Sequence, residues 1–96
     1  MSLLSQQNLP EVCSNAMKYH HERWDGRGYP FGMKGTATPL EGRIMQVADS
    51  FSAMKIKRVY RKSLSTEAAL GELIKHSGTQ FDEQLVAVLI TAIKKN

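Results

Sequence analysis

An all-α fold of about four helices is predicted by three features. Apolar residues recur at helical spacing, several residue groups start helices, and no segment alternates as a strand would. Neither an internal repeat nor a low-complexity tract is present. Asn8-Leu9-Pro10-Glu11 opens the first helix, with Asn8 as cap, proline in the first turn and an acid near the positive helix end. Val12, Ala16 and Met17 then face the core, Cys13 is a buried helical residue, and His20 and His21 arrive at the C-terminal end. From Arg23 to Thr38, Gly26, Gly28, Gly32, Gly35 and Pro30 break every period and mark a long ordered loop, a feature that in compact domains usually serves function. Thr38-Pro39-Leu40-Glu41 starts the second helix with an N-cap, a first-turn proline and the glutamate of a capping box. Its buried stripe runs through Leu40, Ile44, Val47, Ala48, Phe51 and Met54. Ser65 caps a third helix carrying Ala69, Leu70, Leu73 and Ile74 and closed by Gly78. Asp82 caps a fourth, with Phe81 and Val86 as a hydrophobic staple and Leu85, Leu89 and Ile93 on its apolar face.

The 96 residues fit one domain with a modest core. The apolar stripes exceed what one such bundle buries, so a homo-oligomer, most simply a two-fold dimer, is expected. No apolar run is long enough to span a bilayer and no charged-then-apolar leader is visible. Met1-Ser2-Leu3 reads as a translation start or cloning scar, and the cytoplasm is the expected location. With Cys13 as the single cysteine, an internal disulfide and a thiolate-built zinc site are excluded. The formal charge of +4 modestly favours anionic ligands, but the basic residues are dispersed. No helix gathers arginines with base-reading Asn or Gln on one face, which argues against DNA.

The densest chemistry lies in His20 to Pro30, HHERWDGRGYP. Imidazoles are common metal ligands near neutral pH, carboxylates orient them or share an ion, and glycines let backbone approach a phosphate closely. Adjacent helical residues point about 100° apart, so the histidine pair suits two neighbouring ions, or a frayed helix end, better than one ion gripped from mid-helix. Asp49 falls inside the apolar stripe of the second helix, where an acid must be neutralised, paired or bound to a cation. Pairing with Arg43 or Arg58 is the alternative to metal ligation. Arg58-Val59-Tyr60-Arg61 is either a phosphate-binding segment or a solvated basic helix end among Lys55, Lys57 and Lys62. His76, near the end of the third helix, is assigned to the helix dipole or solvent and left out of the site.

Together these segments, from about Pro10 to Ile93, resemble the HD-GYP family, metal-dependent phosphohydrolases whose characteristic substrate is the bacterial second messenger cyclic di-GMP. The resemblance implies part of an HD-GYP helical bundle with its Gly-rich GYP loop. His20 and His21 match the metal-binding histidine pair, and Asp49 in RIMQVADSFSAM matches the aspartate that ligates the metal centre after that loop. Gly28, Tyr29 and Pro30 match the GYP residues beside the substrate. Arg58 and Arg61 match the basic segment that engages substrate phosphates, a role suited to guanidinium forks. Phe81-Asp82 is similar to the family's F-D-P near the last helix.

Departures are equally specific. Ser52 stands where the family usually has a second aspartate, Val59 replaces a proline, and no His-Asp dipeptide exists in the chain. The family's further upstream histidine and lysine have no match either. Residues 4–96 therefore correspond to the C-terminal part of an HD-GYP domain, with no complete catalytic set. Divalent ions of the iron, manganese or zinc class are expected to be weakly held or absent. The implied parent is a cyclic di-GMP phosphodiesterase using metal-assisted hydrolysis, and this chain is expected to be inactive alone. Two alternatives stay open: a degenerate module that binds a nucleotide or protein partner without hydrolysis, and an interaction module that assembles by exchanging helices.

Overall fold

All the predicted helices are present in the computed structural model, which describes residues 9–56 and 62–95. The first, α1 (Leu9–Tyr19), has Glu11 in its first turn and Lys18 in its last, each against the opposite partial charge of the helix end. Its expected cap, Asn8, lies outside the described residues. Ala16 is buried and Val12 half-buried, but Met17 and Cys13 are exposed, contrary to expectation. The cause is that α1 packs chiefly on one neighbour, α2 (Leu40–Lys55), so only a narrow face is covered.

Helix α2 is the hub and touches every other helix. Its crossing with α1 is closed by Gly42, where an added Cβ would lie 2.7 Å from the Tyr19 Cβ. The covered residues of α2 are Gly42, Gln46 and Val47, with Phe51 and Met54 packed against the core. The predicted stripe is thus corrected: Leu40, Ile44 and Ala48 are exposed. A glycine and a glutamine define the buried face here, and a hydrophobic pattern scores neither. The start of α2 also differs. Pro39 occupies the cap position, and Gly42 and Arg43 donate their N–H groups to its carbonyl. Thr38 is buried with its hydroxyl unpartnered, and Glu41 accepts from Asn15 Nδ2 on α1 instead of closing a capping box. Tertiary contact outweighs the local signature: Arg43 Nε donates to the Thr38 carbonyl while its Nη1 pairs with Asp82 at 2.7 Å.

The remaining helices follow their caps. In α3 (Thr66–Lys75), Ser65 Oγ accepts from Ala68 N–H at 3.1 Å, and Ala69, Leu70 and Leu73 are buried. Ile74 is exposed, not in the core. His76 is the C-cap, and Gly78, at φ +84°, belongs to the turn beyond it, donating to the Phe81 carbonyl. In α4 (Glu83–Lys94), Asp82 accepts from Gln84 N–H at 2.9 Å. Phe81 and Val86 both join Val47, Leu70 and Leu73 in the core cluster, as a staple should. Leu85, Leu89 and Ile93 pack against that cluster. Among the described residues, no helix is long and apolar enough to cross a membrane.

Candidate functional site

The turn after α1 sets the histidines. His20 Nδ1 lies 2.7 Å from the Met17 carbonyl. A carbonyl only accepts, so Nδ1 carries the hydrogen, and in the neutral ring Nε2 holds the lone pair. The His20 and His21 rings sit 4.0 Å apart between centroids, and His21 stacks on Tyr29 at 4.8 Å with 17° between planes. Tyr29 N–H donates to the His21 carbonyl, and the Tyr29–Pro30 peptide is cis. At Gly28 a Cβ would come within 2.5 Å of Arg23 N and 2.6 Å of the Glu22 Cα. The glycine is therefore required for the loop to press on the protein's own histidine turn, a use distinct from the expected approach to a phosphate.

Both acids of the motif organise the loop and do not orient the histidines. Glu22 is 2% exposed, and its two carboxylate oxygens accept from Phe31 N–H at 2.8 Å and Met33 N–H at 2.7 Å. A buried carboxylate is tolerated when charge-assisted bonds of this kind satisfy it. Asp25 is gripped by Arg23 through two bonds of 3.1 and 2.9 Å and accepts from Arg27 N–H. The hydrogen-bonded Arg23 guanidinium holds the Asp25 carboxyl below its ordinary value.

His20, His21, Gly28, Tyr29 and Asp49 line one cavity of about 370 Å³, with Gln46 and Ser50 from α2 and Gln80 from the turn before α4. The exposed Asp49 sits on its rim, not within a buried stripe, because α2 turns Gly42, Gln46 and Val47 inward. Arg43, one proposed partner of Asp49, pairs with Asp82. Arg58 and Arg61 lie outside the described residues, and Pro30 is exposed without lining the cavity. Among the described residues, no three of His, Cys, Asp or Glu close around a single metal position, so the three candidates share a cavity without forming a ligand sphere.

Several residues that build the site carry no obvious sequence signal. Gly42 lets α2 approach Tyr19 at the end of α1, next to the histidine turn, and Glu22 shapes the loop from nine and eleven residues away. Main-chain bonds from Trp24 N–H to the Gln80 carbonyl (3.0 Å) and from Asp25 N–H to the Thr79 carbonyl (2.8 Å) fasten the loop to the α3–α4 turn. The position of Gln80 beside the Phe81-Asp82 cap was the available hint.

Comparison with known proteins places this geometry in a family. The chain belongs to the HD domain family, whose model matches residues 1–85, and to its HD-GYP type. It is 42% identical over 86 residues to the cyclic di-GMP phosphodiesterase response regulator RpfG of Xanthomonas campestris, covering 90% of this chain and 23% of that protein. It is 37% identical over 86 residues to the 3'3'-cGAMP-specific phosphodiesterase 2 of Vibrio cholerae, covering 90% of this chain and 16% of that one. A crystal structure of a cyclic GMP-AMP specific phosphodiesterase from V. cholerae superposes with a TM-score of 0.75 at 32% identity, over 88% of this chain and 19% of that one. The chain thus spans about a fifth of the length of the relatives it matches.

Proposed function

We propose that this chain is the part of a metal-dependent cyclic dinucleotide phosphodiesterase that supplies His20, His21 and Asp49 to a divalent-metal centre and Gly28, Tyr29 and Pro30 to the substrate side. Cyclic di-GMP is the first candidate substrate, as for relatives such as the cyclic di-GMP phosphodiesterase response regulator RpfG. The observation that carries the reading is the shared cavity, where the turn after α1 and the middle of α2 bring two imidazoles and a carboxylate to one open pocket beside the GYP loop. This donor set fits an ion of the iron, manganese or zinc class. His20 supports it further, since its Nδ1 hydrogen is committed to the Met17 carbonyl and Nε2 is left as the lone-pair donor. Such an ion, when bound, supplies Lewis-acid stabilisation and an activated water for phosphodiester hydrolysis. The chain's own residues do the rest: Tyr29 fixes the His21 ring by stacking, Glu22 holds the loop, and Arg58 and Arg61 are assigned to the substrate phosphates.

Residues 4–96 are read as the C-terminal part of the domain. Three ligands on an open rim hold an ion weakly, and the sequence has no His-Asp dipeptide to complete the centre, so the chain alone is inactive. A cytoplasmic setting belongs to the same proposal, supported by the response-regulator relative. Ser52, exposed on α2 where an acid was expected, favours a second reading: a module that binds a cyclic dinucleotide without hydrolysing it.

Calorimetric titration of the metal-free protein with Mn²⁺ or Zn²⁺ tests the first reading. Binding heat is expected for the wild type and its loss in the His20→Ala, His21→Ala double variant; equal heats would sink the metal assignment. A phosphodiesterase assay with added Mn²⁺ should show no turnover. Metal-dependent turnover that disappears in Asp49→Ala would show a complete centre in this chain.

A further inference from the structure

Ser50 and Gln80, which wall the histidine cavity, also wall a second cavity of about 320 Å³ on their far side. Its apolar surfaces come from Ala53, Met54 and Phe81, and its polar edge from Glu72 and His76 at the end of α3. The imidazole Nε2 lies 3.9 Å from a Glu72 carboxylate oxygen, and both side chains are a little under half exposed. The spacing of the two cavities is held by main chain. Trp24 and Asp25 of the histidine loop donate to the carbonyls of Gln80 and Thr79, while Gln80 and Phe81 donate to the carbonyl of His76. Apolar walls with polar groups at one edge are what a flat heterocycle needs: its faces pack, and its edge is read by hydrogen bonds.

We propose that this second cavity seats one purine base of a cyclic dinucleotide whose phosphates lie at the His20, His21 and Asp49 cavity, and that Glu72 makes it selective for guanine. The assignment rests on the dinucleotide reading given above. Guanine presents N1–H and its exocyclic amine as adjacent donors, which match the two oxygens of one carboxylate. Adenine places a lone pair at N1 beside its amine, which faces a carboxylate unfavourably. Two donors from guanine satisfy the carboxylate, whereas adenine sets its N1 lone pair against the carboxylate oxygens, so the edge that cannot return the bonds is disfavoured. Relatives named for cyclic di-GMP and for 3'3'-cGAMP differ in this same base choice, so a selective base seat is where such enzymes would diverge.

The test is titration of the 96-residue chain with cyclic di-GMP and, separately, cyclic di-AMP at up to millimolar concentration, followed by amide chemical shifts. Cyclic di-GMP should move His76 and Gln80 together with His21 and Gly28, and should bind about tenfold or more tightly than cyclic di-AMP. Glu72 is partly exposed, so Glu72→Gln should keep the spectrum of the rest of the chain and the shifts at His21 while bringing the two affinities within about threefold. If cyclic di-GMP moves His21 and Gly28 but not His76, or if Glu72→Gln keeps the full preference, the base seat is elsewhere and the inference falls while the proposed function stands. If neither dinucleotide moves any amide, the dinucleotide reading falls and this inference with it.

Discussion

Gly28 shows how one hydrogen in place of a methyl group can decide a site. Its φ is not in the left-handed region, so conformational freedom is not the issue; space is, with Arg23 and Glu22 backbone atoms where a Cβ would go. Backbone does not yield as a flexible side chain does. Gly28→Ala should therefore destabilise the chain by about 1–3 kcal/mol and shift the His21 ring resonances, measurable by urea unfolding and NMR. Asp25 offers a pH-dependent counterpart. Its carboxyl titrates below the unfolded value of about 3.9 because Arg23 hydrogen-bonds the charged form, so its contribution is complete above that pH and lost as pH falls through the lower folded value. The pair is partly solvated and worth at most about 1 kcal/mol. Urea midpoints of wild type and Asp25→Asn should differ at pH 7 and converge as pH falls through the lowered folded value. At this scale the histidines were legible because the residue type announces the chemistry. Glu22 was not, since the N–H groups of Phe31 and Met33 that it satisfies belong to an irregular loop with no period to read.

Elements were legible where their signals are made within one turn of chain. Ser65 and Asp82 cap the helices that follow them because their acceptors reach N–H groups two or three residues on, whatever the rest of the molecule does. Thr38 carries the same kind of signature and fails: Pro39 takes the cap position and the Thr38 hydroxyl is left unpartnered, while Arg43 donates to the Thr38 carbonyl and reaches Asp82, thirty-nine residues away. No local pattern encodes that contact. The Arg43–Asp82 pair should accordingly be a main tie between the start of α2 and the start of α4. Asp82 is 3% exposed and Arg43 17%, so removing the guanidinium leaves a carboxylate with no compensating charge. Arg43→Met should cost about 3 kcal/mol, the lower end for breaking a buried pair. Asp82→Asn keeps the cap and reports the pair alone, whereas Asp82→Ala should cost about 1 kcal/mol more for the lost cap. Urea unfolding of the three variants gives the comparison, and a loss below about 1 kcal/mol in Arg43→Met would mean that solvent already screens the pair.

For the whole molecule, an excess of apolar helix surface was foreseeable, and its position in part: Ile44, Val47, Leu85 and Leu89 of the expected stripes line the open apolar groove, whereas Val88 was not expected there. The predicted face of α4, Leu85, Leu89 and Ile93, packs against the core while Leu85 and Leu89 still show at the groove, and the large apolar residue left outward is Val88, 64% exposed. Between α2 and α4 runs an open groove of about 240 Å³ walled by apolar side chains throughout, among them Ile44, Ala48, Val88 and Ala92. A second copy presents the same two helices, so a two-fold axis lets the Val88 ridge of each copy enter the groove of the other, the self-complementary contact that closes without forming a filament. The expected species is a dimer of twice the 10.8 kDa chain mass by light scattering. Val88→Glu would place a charge in that apolar contact and weaken the dimer by about a hundredfold or more, since a buried unpaired carboxylate costs several kcal/mol. Because Val88 is solvent-facing in the single chain, the variant should fold with unchanged helix content. A wild type that stays monomeric at millimolar concentration would overturn the dimer and leave the groove to helices of a longer polypeptide. A Val88→Glu variant that dimerises as well as wild type would move the contact to another face.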